Sequence, residues 1–108
     1  MTVRVITERT AKREHMEQLM PLLLQLREKA IQQPGYISGE TLQSLDHKRT
    51  HMVVSTWNTL QDWRNWEGNK ERKALIDKID TTLTSPSKVR VYVPSALSMI
   101  WHDLPEGI

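Results

Sequence analysis

The sequence predicts an α+β fold of the ferredoxin-like type, in which an antiparallel four-stranded sheet carries helices on one face. Segments typical of strands occur at residues 2–9, 36–57 and 89–93. Segments in which apolar residues recur every three or four positions occur at 12–33 and 59–83, and these are typical of helices. The order is therefore strand, helix, strand, strand, helices, strand, which is the split β-α-β-β-α-β arrangement.

The length of 108 residues corresponds to a single domain, residues 1–108. We expect its core at about residues 2–93 and a C-terminal extension at 94–108. The 15 basic and 13 acidic residues nearly cancel. The basic residues form no face with stacking aromatics, so binding of nucleic acid is not expected.

The composition also restricts the compartment and the chemistry. The sequence contains no cysteine, which excludes disulfides, thiol nucleophiles and iron–sulfur clusters. No apolar run approaches the ~20 residues that a membrane-spanning helix needs. Charged residues interrupt the N-terminal segment, so it does not resemble a signal peptide. We therefore expect a cytoplasmic protein that does not bind membranes.

The first strand and the first helix follow each other closely. The strand is predicted at residues 2–9, and Thr10 is a plausible N-cap for a helix that begins near Lys12 and runs to about Gln33. Pro21 lies well inside this helix and cannot donate a backbone hydrogen bond, so we expect a kink or a helix in two pieces. The helix is predicted to stop at Pro34-Gly35.

A hairpin and a short helix come next. The second strand is predicted at Tyr36–Leu45 and the third at Thr50–Trp57, and the short connection between them predicts antiparallel pairing. Asn58 or Thr59 is predicted to cap the second helix. Gly68 is predicted to end it.

The remaining elements complete the sheet. Asn69 is predicted to cap a third helix that runs to about Leu83. The alternating apolar residues of Val89–Val93 predict the fourth strand, which Pro94 closes. Residues 96–102 could form a further short strand.

Both faces of the sheet are predicted to carry apolar side chains. Val53 and Val54 are neighbours in the third strand and therefore point to opposite faces. A sheet that is apolar on both faces needs a second cover. A second copy of the chain is the simplest one, so we expect a homodimer.

At this point the pattern resembles a known family. Pro34-Gly35-Tyr36, Trp57 at the end of the third strand, Trp66, and Glu71-Arg72 at a helix start resemble the antibiotic biosynthesis monooxygenase family over about residues 2–93. The resemblance implies a dimeric α+β barrel, in which two ferredoxin-like subunits pack sheet against sheet. It also implies kinship with cofactor-independent monooxygenases that act on polycyclic aromatic substrates, and we expect no cofactor.

Four aromatic residues are candidates for the wall of a substrate cleft. Trp63 and Trp66 are three residues apart on a helix and share a face. The resemblance places that helix beside a cleft between helices and sheet, and Tyr36 and Trp57 are the other candidates. The alternative is that the tryptophans are core residues, each burying on the order of 200 Å².

No catalytic residue can be assigned from the sequence. His51 is the one candidate base that we name, yet it lies six residues from Trp57 in an extended strand, about 20 Å away. No histidine pair has the spacing of a helical metal site, and no cluster of acidic residues and histidines predicts a metal ion.

A haem-degrading branch related to the family supplies a further comparison. The resemblance implies that this branch uses an asparagine on the first strand, a tryptophan that matches Trp66, and a histidine about ten residues later. Residues 2–9 contain no asparagine, and Ile76 lies near the histidine position. We therefore do not expect haem degradation.

Two functions remain open. The first is a cofactor-independent monooxygenase that acts on a planar, electron-rich aromatic compound, a quinol or a polycyclic one. The second is a non-catalytic dimeric barrel that binds a small molecule or a partner.

Overall fold

The sheet contains four antiparallel strands in the order β2-β3-β1-β4. The computed structural model describes residues 1–94. Its strands and helices, in chain order, are β1 (Val3–Thr10), a 3-10 turn (Arg13–His15), α1 (Met16–Ile31), β2 (Tyr36–Gln43), β3 (Thr50–Trp57), α2 (Leu60–Glu67), α3 (Lys70–Asp80) and β4 (Lys88–Tyr92). The predicted ferredoxin-like α+β fold is therefore confirmed. The strand expected at 96–102 lies outside the described residues, as does nearly all of the expected extension.

The start of α1 differs from the prediction. Thr10 is not a helix cap, because β1 continues through it and its Oγ1 lies 2.8 Å from Oγ1 of Thr50 on the neighbouring strand. This pairing keeps the backbone extended, so α1 begins at Met16 after the 3-10 turn. Pro21 does not divide α1, which runs unbroken over 16 residues. Pro21 and Glu17 are both exposed, so water can reach the carbonyl of Glu17 that lacks its helical donor.

Local side-chain hydrogen bonds also set two other boundaries. β2 ends at Gln43 rather than Leu45, because Ser44 Oγ accepts hydrogen bonds from the amides of Asp46 and His47 and so bends the chain. α3 ends at Asp80 rather than near Leu83. The hydroxyl groups of Thr81 and Thr82 donate hydrogen bonds to carbonyls of the last helical turn.

The helices pack on one face of the sheet and form two clusters of buried side chains. The first cluster joins β1 to the end of β3 and to α2: Val3, Val5, Trp57, Trp63 and Trp66. The second joins the end of β1 to α1, α3 and the turn after α3: Ala11, Leu19, Ile79 and Leu83. Trp63 and Trp66 of the first cluster also line the cleft described below.

The opposite face of the sheet remains partly apolar. Ile6 pairs with Val54 and Glu8 with Met52, which places these four side chains on the face away from the helices. Tyr92, opposite Arg4, belongs to the same face and is 48% exposed. We call this surface the outer face. Its apolar residues have no cover within residues 1–94.

Candidate functional site

A cleft of about 70 Å³ lies between the sheet and the three α-helices. Both layers contribute to its lining. The helices provide Leu26, Arg27, Ala30, Trp63, Trp66 and Arg72. The sheet provides Thr7, Arg9, Tyr36, Gly39, Glu40, Thr41, Val53 and Ser55.

The cap of α2 fixes the two tryptophans of the cleft. Thr59 Oγ1 accepts a hydrogen bond of 3.0 Å from the amide of Asp62, which satisfies one of the free donors in the first helical turn. From this start, Trp63 and Trp66 come one turn apart on the face that packs against the sheet. Each is only 3% exposed, so both serve as packed core and as cleft wall.

Tyr36 lies in the wall between two glycines: Gly35 turns the chain before it, and Gly39 leaves room for its hydroxyl group. Gly35 has a φ of 83°, a value that favours glycine, and its carbonyl accepts a 2.7 Å hydrogen bond from the amide of Asn58. A Cβ on Gly39 would lie 2.5 Å from the hydroxyl oxygen of Tyr36. The close approach of these two residues places the Tyr36 side chain over β2 at the side of the cleft.

Trp57 does not line the cleft. It is 1% exposed, and its indole N–H donates a 3.1 Å hydrogen bond to Ser55 Oγ. Its ring makes edge contacts with Tyr36 at 5.4 Å and with Trp63 at 5.8 Å between centroids. Trp57 therefore supports two aromatic residues of the wall from behind.

His51 does not line the cleft either. It is buried between Arg9 of β1 and Gln43 of β2 in the sheet register. Its Nδ1 has no hydrogen-bond partner among residues 1–94. The structure thus separates His51 from the tryptophans, in agreement with the distance expected along the strand.

Arg9 is a cleft residue that the sequence analysis did not identify. It is 4% exposed, and its Nε donates a 3.0 Å hydrogen bond to Ser87 Oγ, which in turn donates to Asp80 Oδ1 at 3.1 Å. Burial and the nearby charge of Arg72 lower the pKa of Arg9 to about 10, against the opposing effect of Asp80. The alternation of side chains along β1 could have identified Arg9, because it places residue 9 on the same face as residues 3, 5 and 7.

Arg72 is the second buried arginine of the cleft. Its guanidinium carbon lies 5.1 Å from the centroid of the Trp63 ring, and its Nη1 donates a 3.4 Å hydrogen bond to the carbonyl of Glu67. Burial lowers the pKa of Arg72, and the charges of Glu67 and Asp80 oppose this effect. In the sequence, Arg72 was recognised only as a residue at a helix start. Its helical spacing with Leu75 and Ile79 could have indicated that it faces inward.

Residues 1–94 contain no group of three histidine, cysteine, aspartate or glutamate side chains arranged to hold a metal ion. In the same part of the chain, no helix has both the length and the hydropathy to span a membrane.

Three solved structures illustrate the similarity of the fold. A conserved protein from Methanosarcina mazei Go1 is 17% identical, with a TM-score of 0.82 over 87% of this chain and 93% of its own. Rv0793 from Mycobacterium tuberculosis is 17% identical, with a TM-score of 0.81 over 91% and 99% of the two chains. SnoaB from Streptomyces nogalater, described as a cofactor-independent oxygenase, is 12% identical, with a TM-score of 0.77 over 89% and 95%.

No curated protein matches the sequence. A family model described as "Antibiotic biosynthesis monooxygenase" matches residues 2–78, which is well over half of the chain. This chain therefore belongs to the antibiotic biosynthesis monooxygenase family.

Proposed function

We propose that this protein is a cofactor-independent monooxygenase whose cleft binds a small planar aromatic substrate, of the quinol or polycyclic type. The observation that carries the proposal is the cleft wall built from Tyr36, Trp63 and Trp66 on a largely apolar lining. Membership of the family supports the reaction class. The similarity to SnoaB supports the fold in which such a reaction can occur.

The proposed reaction relies on the substrate for its electrons. A ring C–H ortho to a phenolate, in a quinol, or the ring CH₂ of an anthrone-like compound can react with O₂ once the compound has lost a proton, and one oxygen atom becomes a ring carbonyl while the other leaves as water. The protein would bind the ring, orient it and exclude bulk water. Glu40 is the one acidic residue among the lining residues of the described chain, and it pairs with Val54 of the outer face, so its carboxylate points away from the cleft. Because no carboxylate base within residues 1–94 faces the cleft, we expect a substrate that is acidic enough to lose its proton without one.

The size of the cleft limits how a substrate can sit. Its volume of about 70 Å³ is smaller than an apolar cavity of roughly 150 Å³ that holds benzene. A bound ring must therefore extend toward the side of the cleft where Arg27 is exposed. A single ring fits this restriction better than a polycyclic one.

Oxygen consumption with a panel of quinols and anthrone-like compounds tests the proposal. We expect substrate-dependent uptake of O₂ above the rate without protein, together with a spectral change of the compound. Saturable binding without turnover would instead support the alternative, a non-catalytic protein that binds a small molecule or a partner. Loss of haem absorbance with a reductant in the presence of catalase would contradict our expectation that the protein does not degrade haem.

The protein is also proposed to be a homodimer through its outer face. Ile6, Met52 and Val54 lie there beside the more exposed Leu42 and Tyr92. A second copy packed sheet against sheet would remove these side chains from water, which is the main favourable term in association.

A further inference from the structure

We propose that Arg9 and Arg72 form an anion subsite in the cleft, which binds the carboxylate of a small aromatic acid while the ring lies against the tryptophans. This inference names a substrate class for the site proposed above and rests on that function for the position of the ring. Anion binding is measurable without turnover, so the subsite and the reaction can fail separately.

The first argument is the burial of two like charges in one cleft. Arg9 is 4% exposed and Arg72 is 8% exposed, and both line the same space. Moving a cation out of water is costly, and a second cation nearby adds to the cost. Apolar side chains would stabilise this core better, so the two guanidinium groups indicate a ligand rather than a packing requirement.

The second argument is that the nearby carboxylates are engaged elsewhere. Within residues 1–94, ion pairs join Lys29 to Glu71 at 2.7 Å and Arg64 to Glu67 at 2.9 Å. Neither pair includes a cleft arginine. Asp80 reaches Arg9 only through the hydroxyl of Ser87. Glu67 and Asp80 act on Arg72 through their charge, but neither forms an ion pair with a cleft arginine within residues 1–94, so both guanidinium groups remain available to an anion.

The third argument is the excess of hydrogen-bond donors. A guanidinium presents a planar fork of N–H donors and no acceptor. Among the described residues, Arg9 donates to Ser87 and Arg72 donates to the Glu67 carbonyl. The indole N–H of Trp63, beneath Arg72, is buried without any acceptor in that part of the chain. Unused donors in the cleft wall favour a ligand that accepts hydrogen bonds.

These features together select a carboxylate on a ring. A carboxylate offers two coplanar oxygens that match the guanidinium fork and accept two parallel hydrogen bonds. Its small volume suits the interior of the cleft, whereas the ring can pack against Trp66 and Tyr36 toward the mouth. Arg27 is exposed at the side of the cleft and donates to the Gly39 carbonyl at 3.4 Å, so it adds positive charge there.

Calorimetric titration with benzoate, benzamide and phenol at neutral pH and low salt tests the subsite. Benzamide keeps the shape of benzoate without its charge, and phenol offers a single oxygen. We expect benzoate to bind the native protein at least about tenfold more tightly than either, since charge-assisted hydrogen bonds contribute about 1.5–3 kcal/mol. Equal affinity for benzoate and benzamide, or tighter binding of phenol, would overturn the proposal.

Variants locate the binding. Arg9→Met and Arg72→Met should each weaken benzoate binding by about tenfold or more and leave benzamide unchanged. Arg13→Met, which removes an exposed arginine outside the cleft, is the matched control and should change neither affinity. Arg72→Lys keeps the charge and the fold but loses the planar fork, so it should retain part of the benzoate affinity. Full benzoate affinity in folded Arg9→Met and Arg72→Lys proteins would assign both arginines to packing alone.

Discussion

Lys29 Nζ lies 2.7 Å from Glu71 Oε2, and this ion pair joins α1 to α3, two of the helices that line the cleft. The hydrogen bond from Lys29 and then the charge of Lys29 lower the pKa of Glu71. Glu71 is exposed and Lys29 is partly exposed, so the pair contributes little stability at physiological salt. The pKa of Glu71 is nevertheless measurable, and it depends on the spacing of the two helices.

The first prediction concerns the pH dependence of this pair. A carboxylate whose pKa is lower in the folded chain contributes stability above its unfolded pKa, and the contribution disappears as the pH falls through the folded pKa. Lys29→Met should therefore raise the pKa of Glu71 toward its ordinary value, as followed by NMR titration of the carboxyl carbon. Arg64→Met, which removes a different ion pair, is the control and should leave that pKa unchanged. An unaltered Glu71 pKa in Lys29→Met would show that the pair does not form in solution.

The second prediction concerns the backbone at Gly35. A side chain there would require a left-handed conformation, which costs roughly 1–2 kcal/mol, and its Cβ would overlap the side chain of Asp62. Gly35→Ala should therefore lower the free energy of unfolding by about 2 kcal/mol or more, measured by urea denaturation. The double variant Gly35→Ala/Asp62→Ala should recover only the part that is due to overlap with the carboxyl group, because the Cβ of residue 62 would still lie 2.5 Å from the new Cβ.

Gly68→Ala is the control for this experiment. Gly68 has an ordinary φ of −85°, and a Cβ there would lie 3.5 Å from the nearest carbonyl oxygen. Gly68→Ala should change the free energy of unfolding by no more than about 0.5 kcal/mol. Equal losses at Gly35 and Gly68 would contradict the role given to the left-handed turn.

Local signals explain why much of the fold could be predicted from the sequence. β3 has the predicted bounds, Thr50–Trp57, because a turn on one side and a helix cap on the other define them within a few residues. The caps at Thr59 and Asn69 are likewise short-range hydrogen bonds. The first cap was predicted wrongly at Thr10, because the competing interaction with Thr50 is 40 residues away.

The cleft was harder to predict because long-range contacts determine it. Arg9 becomes buried through a hydrogen bond to Ser87, 78 residues later in the chain, and no local pattern indicates that partner. Because arginine is usually exposed, Arg9 was not predicted to be buried, although the alternation along the strand places it on the inner face. The aromatic candidates were more accessible to prediction, since helical spacing alone brings Trp63 and Trp66 to one face.

The third prediction concerns assembly. Val54→Glu places a charge on the outer face, where a sheet-to-sheet interface would bury it, and should convert a dimer into a monomer. Light scattering at micromolar concentration measures the mass. Leu24→Glu, at a 60% exposed position of α1, is the control and should leave the dimer intact. A monomer mass for the native protein would contradict the proposed interface.

The last prediction separates the roles of the tryptophans. Trp66 lines the cleft, whereas Trp57 lies behind the wall and donates a hydrogen bond to Ser55. Trp66→Phe keeps an aromatic ring and much of the volume, so the free energy of unfolding should fall by only about 1 kcal/mol, compared with roughly 3–5 kcal/mol for alanine. The affinity for a planar aromatic ligand should change, because the contact surface in the cleft is altered.

Trp57→Phe provides the matched comparison. Trp57→Phe loses the hydrogen bond to Ser55, so its loss of stability should exceed that of Trp66→Phe by about 1 kcal/mol. Its effect on ligand affinity should be the smaller of the two, because it does not line the cleft. Thermal denaturation and fluorescence titration measure both quantities on the same samples. A large stability loss with unchanged affinity in Trp66→Phe would assign Trp66 to the core alone and remove the residue on which the aromatic cleft most depends.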